Sequence, residues 1–220
     1  MIKKLNWKYA IGEIIIVIIG ISIAFSLNNW NEERKKEVER IKYLESFKMD
    51  LDDEINHLRE NIETFENKIS SIQGLFPFLY GKQAGRDTVV NDVFELANVV
   101  IYNPHDVTYN ALINSGDLGI FDNFELKRAI EYHYANQVQV KLDYKRQNSI
   151  MENYFGDFMI YNLDYGKIRS GDYSFIDDKL LKNIIQSLYG TYGIAIGSST
   201  KEIERCQELR SLLDEELEML

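Results

Sequence analysis

Residues 51–73 read Leu-Asp-Asp-Glu-Ile-Asn-His-Leu-Arg-Glu-Asn-Ile-Glu-Thr-Phe-Glu-Asn-Lys-Ile-Ser-Ser-Ile-Gln. Leu51, Ile55, Leu58, Ile62, Phe65, Ile69 and Ile72 recur in alternating steps of four and three. That is the heptad repeat of a helix with one seam packed against other helices. No proline precedes Pro77, and no glycine lies between Gly20 and Gly74. The pattern predicts one helix over residues 31–73, about 60 Å long at 1.5 Å per residue. Ile41 and Leu44 extend the seam toward the N-terminus, and Lys48 interrupts it. Glu45, Asp52, Glu54, Arg59, Glu63 and Lys68 read as the solvated face, and Gly74 as the stop. Such a seam needs a partner, either a second copy or later helices of the same chain. The same chain is favoured, because its later helices also carry apolar faces in need of cover.

Upstream, residues 9–27 read Tyr-Ala-Ile-Gly-Glu-Ile-Ile-Ile-Val-Ile-Ile-Gly-Ile-Ser-Ile-Ala-Phe-Ser-Leu, with Glu13 as the single charge. This is close to the ~20 apolar residues that cross a hydrocarbon core. Trp7 and Trp30 flank it about 35 Å apart, suited as anchors in the two headgroup zones. A short basic tail (1–8) followed by a transmembrane helix (9–29) is the reading. A cleaved signal peptide competes with it: Lys3, Lys4 and Lys8 form a basic n-region, and Ser22-Ile23-Ala24 a small-x-small cleavage site. Glu13 inside the apolar run, and the polar helical sequence that continues from Trp30, favour the retained anchor.

Glu13, Gly20, Ala24 and Leu27 share one stripe of that helix. Gly20-x-x-x-Ala24 permits close backbone approach, as does Ser22-x-x-x-Ser26. The stripe suits helix–helix association in the membrane; a lone anchor with an interfacial Glu13 is the alternative. Arg34, Lys35, Lys36, Arg40 and Lys42 on the far flank balance the tail's lysines, so the positive-inside rule does not settle orientation. Signal-anchor logic keeps the short tail cytoplasmic and exports the body.

The stretch Tyr9-Ala10-Ile11-Gly12-Glu13-Ile14, then the apolar run, then Asn28-Asn29-Trp30-Asn31-Glu32 resembles the N-terminal signature of an uncharacterised membrane-protein family common in Bacteroidota. The segment Tyr109-Asn110-Ala111-Leu112-Ile113-Asn114-Ser115-Gly116-Asp117-Leu118, with Leu126 and the Tyr132–Tyr134 stretch, is similar to a second recurrent block of that family. The resemblance implies an envelope protein of a Gram-negative bacterium, with one N-terminal span and a helical remainder. It implies no functional residue.

Residues 74–220 read as a helical bundle body. A loop is expected over 74–86, and a helix from Asp87 to about Ile101, broken by Asn103-Pro104. Asp106 starts a short helix that ends at Ser115-Gly116. Asp122-x-x-Glu125 fits a capping box for a helix from about Asn123 to Leu163, with Leu126, Ile130, Tyr134, Val138, Leu142, Met151, Phe155 and Phe158 as its apolar positions. A loop is expected over 164–175, then a helix from Asp177 or Asp178. Ser199-x-x-Glu202 reads as a second capping box, opening a last helix. The fold class is all-α: a transmembrane helix continuing into a long helix with a coiled-coil-like seam, packed with later helices as an antiparallel bundle.

The net charge is −10, with 25 Lys plus Arg against 35 Asp plus Glu. The N-terminal 30 residues are basic on balance, so the body is strongly acidic. Such a body repels phosphate backbones, which excludes nucleic acid as a partner. One cysteine excludes a disulfide scaffold. Glu54-Ile55-Asn56-His57 matches the Glu-x-x-His element of di-iron bundles, but no second copy exists, and the heptad places His57 outside the seam, on the surface. Three His and one Cys offer no zinc spacing. Cys206 falls on an apolar stripe and reads as a small buried hydrophobe. His105-Asp106 has no nucleophile beside it, and His133 reads as a core or boundary residue. Gly190-x-x-Gly193-x-x-x-Gly197 matches no phosphate loop and reads as a turn. Residues 137–149 form a polar, basic island whose Lys141, Lys145 and Arg146 suit an anionic ligand or an acidic partner helix, unless they are simply an exposed helix face. The 14 tyrosines line a pocket or fill the core.

Three functions stay in play. The first is a membrane-anchored, non-enzymatic interaction or scaffold protein, assembling with itself or with another membrane protein and needing no cofactor. The second is a sensor-like ligand-binding bundle that signals through a separate partner. The third is an enzyme with a dispersed site. The expected location is the bacterial inner membrane, single-pass, with the body periplasmic.

Overall fold

The computed structural model describes residues 7–81 and 84–220, and among these no strand occurs. Lys3 and Lys4 of the basic tail lie outside the described residues. The first helix, α1, spans Trp7–Tyr80 without interruption. At 1.5 Å per residue it is about 110 Å long. Its N-terminal part is uncovered: from Ile14 to Leu27 every residue is exposed. Leu44 and Phe47 are the first fully buried side chains, so the body begins there.

α1 does not stop at Gly74, and it contains Pro77. Ile72, Leu75 and Leu79 are buried on one face, and that burial outweighs the poor helix propensity of Gly74. Pro77 removes one backbone hydrogen bond from the last turn, and the buried Leu75 and Leu79 on either side hold the helix through it. The stop is Gly81, whose N–H bonds to the Pro77 carbonyl and where a Cβ would overlap that oxygen.

After a short connection come a 3-10 turn, Arg86–Val89, and the six-residue α2, Val90–Glu95. The expected helix to Ile101 is thus cut short. Residues 97–106 instead form an extended strap laid over the bundle. α3 spans Val107–Ser115 and ends at Gly116, in the left-handed region at φ 78°. A 3-10 turn, Asp117–Ile120, leads into α4, Phe124–Ile150. The cap of α4 is Asn123, whose side chain accepts from the N–H groups of Glu125 and Leu126, and not Asp122, which pairs with Arg40 at 3.1 Å. α4 runs on through π-helical turns at Met151–Phe155 and Phe158–Asn162. The expected loop over 164–175 contains the short α5, Tyr165–Arg169, and is followed by a 3-10 turn, Ser174–Asp177.

The last helix, α6, spans Lys179–Glu218 and is capped by Asp178. No second helix starts at Ser199: Ser199 and Glu202 lie inside α6, both fully buried. Gly190, Gly193 and Gly197 are helical and exposed, with nothing within 4 Å of a Cβ placed on any of them. The opposite face carries Leu181, Ile185, Leu188, Tyr192, Ala195, Ser199, Glu202, Cys206, Leu209, Leu213 and Glu216, all buried, in unbroken steps of four and three. That continuous seam holds the helix together across its glycines.

α6 packs against both α1 and α4, running antiparallel to each. Lys48 meets Asp214 and Asp52 meets Arg210 at one end, while Gln73 bonds Tyr189 at the other. Asn123 bonds Glu216, and Tyr144 bonds Ser199. α1 and α4 run parallel, with Phe47 against Tyr134 and Phe65 against Tyr144. The face of α4 differs from the expected one. Val138 and Leu142 point outward, 58% and 53% exposed, while Gln137 and Gln147 point inward.

Two apolar cores result. The one nearer the free end of α1 gathers Leu44, Phe47, Leu51, Phe121, Ile130 and Leu213. The distal one gathers Phe65, Leu75, Phe158, Ile185, Leu188 and Tyr192 with their neighbours. An unbroken α6 makes a firm expectation: Gly193→Ala and Gly197→Ala each raise stability, by about 0.5–1 kcal/mol. Thermal unfolding of the detergent-solubilised chain reads this; a loss of stability would mean a turn at these positions.

Candidate functional site

Between the two cores lies a polar layer. Glu54 of α1, His133 and Gln137 of α4, and Ser199 and Glu202 of α6 are 3% exposed or less. All five sit at heptad seam positions of their helices, so the helical repeat itself drives them inward.

Glu54 does not lie on a solvated face. It is 1% exposed, accepts from the Tyr102 hydroxyl, and takes the His105 N–H at 2.8 Å. Both donors belong to the strap. The strap has no ladder of its own, and its backbone needs partners from side chains. They come from two helices. Gln147 receives the Val100 N–H and donates back to the Val100 carbonyl. Asn61 donates to the Ile101 carbonyl at 3.2 Å, and Asp50 accepts from the Thr108 N–H just beyond the strap at 2.8 Å. Burial raises Glu54 above the ordinary carboxylate range, partly offset by those two donors. The same burial, with the Glu54 charge beside it, pushes the Tyr102 hydroxyl up, so it remains a donor.

His57 is not a free surface residue. Its ring stacks on Tyr102 at 6.5 Å and meets the edge of His105 at 5.8 Å. Glu54 thus serves the strap from inside, while His57 lies half-buried beside the strap's aromatic side chains.

A second group was hidden in the sequence. His133, Glu202 and Cys206 offer donor atoms that all lie within 4.8 Å of one another, and all three residues are buried. Glu202 and Cys206 are one turn apart on α6, and His133 faces them from α4. The His133 Nδ1 is 3.6 Å from Glu202 Oε1. Burial, reinforced by the nearby Arg205 charge, lowers His133 to about 4, so its ring is neutral at physiological pH. With a neutral ring, that contact is not an ion pair, and it is too long for a hydrogen bond. Arg205 donates to the other carboxylate oxygen, Oε2, at 2.8 Å. Burial raises Glu202, with Arg205 opposing the shift. Burial and the Glu202 charge likewise push the Cys206 thiol up, which leaves it protonated and inert as a nucleophile. Both His133 nitrogens and Glu202 Oε1 are buried without a hydrogen-bond partner, as are the neighbouring Tyr134 hydroxyl and Gln137 amide nitrogen.

The residues singled out by sequence stand apart from this layer. Glu13, Gly20 and Ala24 are exposed on the uncovered part of α1, and nothing lies within 4 Å of a Cβ on Gly20. Trp7 and Trp30 bracket that part, 70% and 64% exposed. Lys141, Lys145 and Arg146 are exposed on the outer face of α4, where Arg146 pairs with Asp143 at 3.2 Å. The basic island is therefore split: its cations face outward, while its Gln137 and Gln147 face the core. An open concavity of about 690 Å³ lies between the Glu33–Arg40 stretch of α1 and the turn at Gly116–Asp122.

The chemistry of Glu54 sets an expected outcome. Glu54→Ala strands the Tyr102 hydroxyl and the His105 N–H in the interior, at a cost of about 1–3 kcal/mol for each unsatisfied group. Urea unfolding should show a loss of at least ~2 kcal/mol, together with faster backbone hydrogen exchange across residues 97–106. Exchange unchanged in the strap would contradict this assignment.

A family model, described as a family of unknown function, matches residues 13–154. No curated protein and no solved structure matches the chain.

Proposed function

The chain belongs to that family, DUF6090, and we propose that it works as a membrane-tethered, non-enzymatic helical interaction protein. One observation carries the reading. α1 is a single helix whose apolar N-terminal part is wholly uncovered and whose C-terminal half is built into the bundle. The uncovered part is long and apolar enough to cross a membrane, with a mean hydropathy of 2.2 over its best window. Left in water, it would expose Ile14, Ile15, Ile16, Val17, Ile18 and Ile19 side by side. That is far more contiguous apolar surface than a soluble monomer carries. A bilayer covers it, and the unbroken helix then ties the body's orientation to the membrane.

In this reading the protein sits in the inner membrane of a Gram-negative bacterium. Its short tail is cytoplasmic, and its acidic body is in the periplasm. The resemblance of residues 9–14 and 28–32 to the Bacteroidota signature supports that setting. The Glu13–Gly20–Ala24 stripe is the contact to a second copy or to another membrane protein. The coiled-coil-like seam serves within the chain, since α4 and α6 cover it.

Two outcomes are expected in the native host. Removing residues 1–29 should move the protein from the membrane fraction to the soluble one. Gly20→Leu with Ala24→Leu should leave it in the membrane while lowering the mass of the complex purified in mild detergent. A wild-type protein that purifies as a lone monomer would overturn the interaction reading.

A further inference from the structure

We infer that His133, Glu202 and Cys206 form a binding site for a zinc-class divalent cation, clamping α4 to α6 in the middle of the bundle. This inference stands apart from the tethering role and does not depend on it.

The first argument is the donor set. An imidazole nitrogen, a carboxylate oxygen and a thiolate sulfur make a mixed set of borderline softness. Such a set selects zinc and its neighbours over calcium or magnesium, which take oxygen ligands. Tetrahedral zinc holds such donors at roughly 2.0–2.3 Å, which places them about 3.3–3.6 Å from one another. His133 Nδ1 and Glu202 Oε1 are already 3.6 Å apart, and no donor pair in the group exceeds 4.8 Å. Ligation draws the remaining donors in from no more than 4.8 Å. The three protein ligands leave a fourth position open.

The second argument is the cost of leaving the group unpaired. His133 is 3% exposed and Glu202 0%, yet both imidazole nitrogens and Glu202 Oε1 lack a hydrogen-bond partner. Each buried unsatisfied group costs on the order of 1–3 kcal/mol. Glu54 and Ser199 of the same layer are satisfied, by Tyr102 and His105 and by Tyr144 and the Ala195 carbonyl. Three unpaired atoms, the two His133 nitrogens and Glu202 Oε1, lie where three metal-ligating side chains meet, with the unpaired Tyr134 hydroxyl and Gln137 amide nitrogen beside them.

The third argument is charge. Both His133 nitrogens are without a hydrogen-bond partner, so either can turn a lone pair to the cation. On binding, the metal–sulfur bond forms as Cys206 loses its S–H proton to solvent. The two positive charges of the cation and that of Arg205 are then balanced by the Cys206 thiolate, Glu202 and nearby Glu54. Arg205, bonded to Glu202 and one-third exposed, links the site to the surface.

The test uses the full chain in mild detergent, purified without a histidine tag, stripped with a chelator and titrated with cobalt(II) chloride. Cys206 is the only cysteine, so a near-ultraviolet thiolate-to-cobalt band in the wild type identifies it as a ligand. The expected result is a band that saturates at one cobalt per chain, is bleached by zinc chloride, and disappears in Cys206→Ser. His133→Leu should weaken binding at least about tenfold, since even changes outside the ligand set of a metal site have effects of that order. Zinc chloride should raise the melting temperature of the wild type. Absence of the band in the wild type would overturn the inference without recourse to any variant. So would a band that persists in Cys206→Ser, or a wild-type melting temperature indifferent to zinc.

Discussion

A buried carboxylate with two donors aimed at it organises this bundle. Glu54 lies between the two apolar cores and is held by Tyr102 and His105 of the strap. If those two bonds are lost, two donors of the strap are stranded in the interior and its hold on α1 is weakened. Gln147 and Asn61 then lose the carbonyls they serve. The strap in turn leads into α3, which closes the core nearer the free end of α1 through Leu112. Polar side chains of α1 and α4, Glu54 foremost, thus fix the path of a ten-residue segment that has no ladder to fix itself.

The heptad repeat shows how much of this can be read from the chain. Leu51, Leu58, Phe65 and Ile72 mark every second seam position of α1 and announce the helix unaided. The intervening seam positions are Glu54, Asn61 and Lys68, and a reading by hydrophobicity moves the seam one residue on, to Ile55, Ile62 and Ile69. Of the polar set, Glu54 and Asn61 bind the strap, and Lys68 donates to the Glu95 carbonyl at the end of α2. The same bias displaced the α4 stripe onto Val138 and Leu142, away from Gln137 and Gln147. It also broke α6 at Ser199 and Glu202, two seam positions occupied by polar side chains that happen to spell a capping box. The signal was the spacing: His133, Gln137, Val140, Tyr144, Gln147 and Met151 alternate by four and three as strictly as any leucine series. Ends set by backbone chemistry were legible, at Gly116 and Asp178. The continuation of α1 through Gly74, which tertiary packing sets, was not. His133, Glu202 and Cys206 were individually visible, but they meet only because α4 and α6 run antiparallel, and no linear spacing reports that.

The continuity of α1 gives the architecture its directional character. A loop between the apolar segment and the body would let the two tumble independently. Here the same backbone hydrogen-bond ladder runs from the exposed isoleucines to Tyr80. From Asn28 to Glu39 the helix is bare and charged, with short-range pairs such as Lys36 with Glu33. Its first long-range polar contacts are Arg40 to Asp122 and Tyr43 to Asp117, at the turns that flank α3 and α4. A tilt of the exposed apolar segment is therefore delivered first to the turn between α3 and α4.

Polar groups in a helical seam have two distinct physical uses, and this bundle separates them. A partnered polar pair sets register, because any slip of the helices would leave it facing apolar side chains. Tyr144 with Ser199, and Glu54 with the strap, have that character: every slipped alignment breaks their hydrogen bonds. His133, Glu202 and Cys206 do not. They have few bonds to lose on slipping, so register cannot account for their place in the core. A helix pair selected only for stability would fill these positions with leucine, as it does one turn away at Leu209 and Leu213. The group makes physical sense when a positive charge sits between the two helices: the imidazole lone pair, the free carboxylate oxygen and the thiol then all gain a common partner.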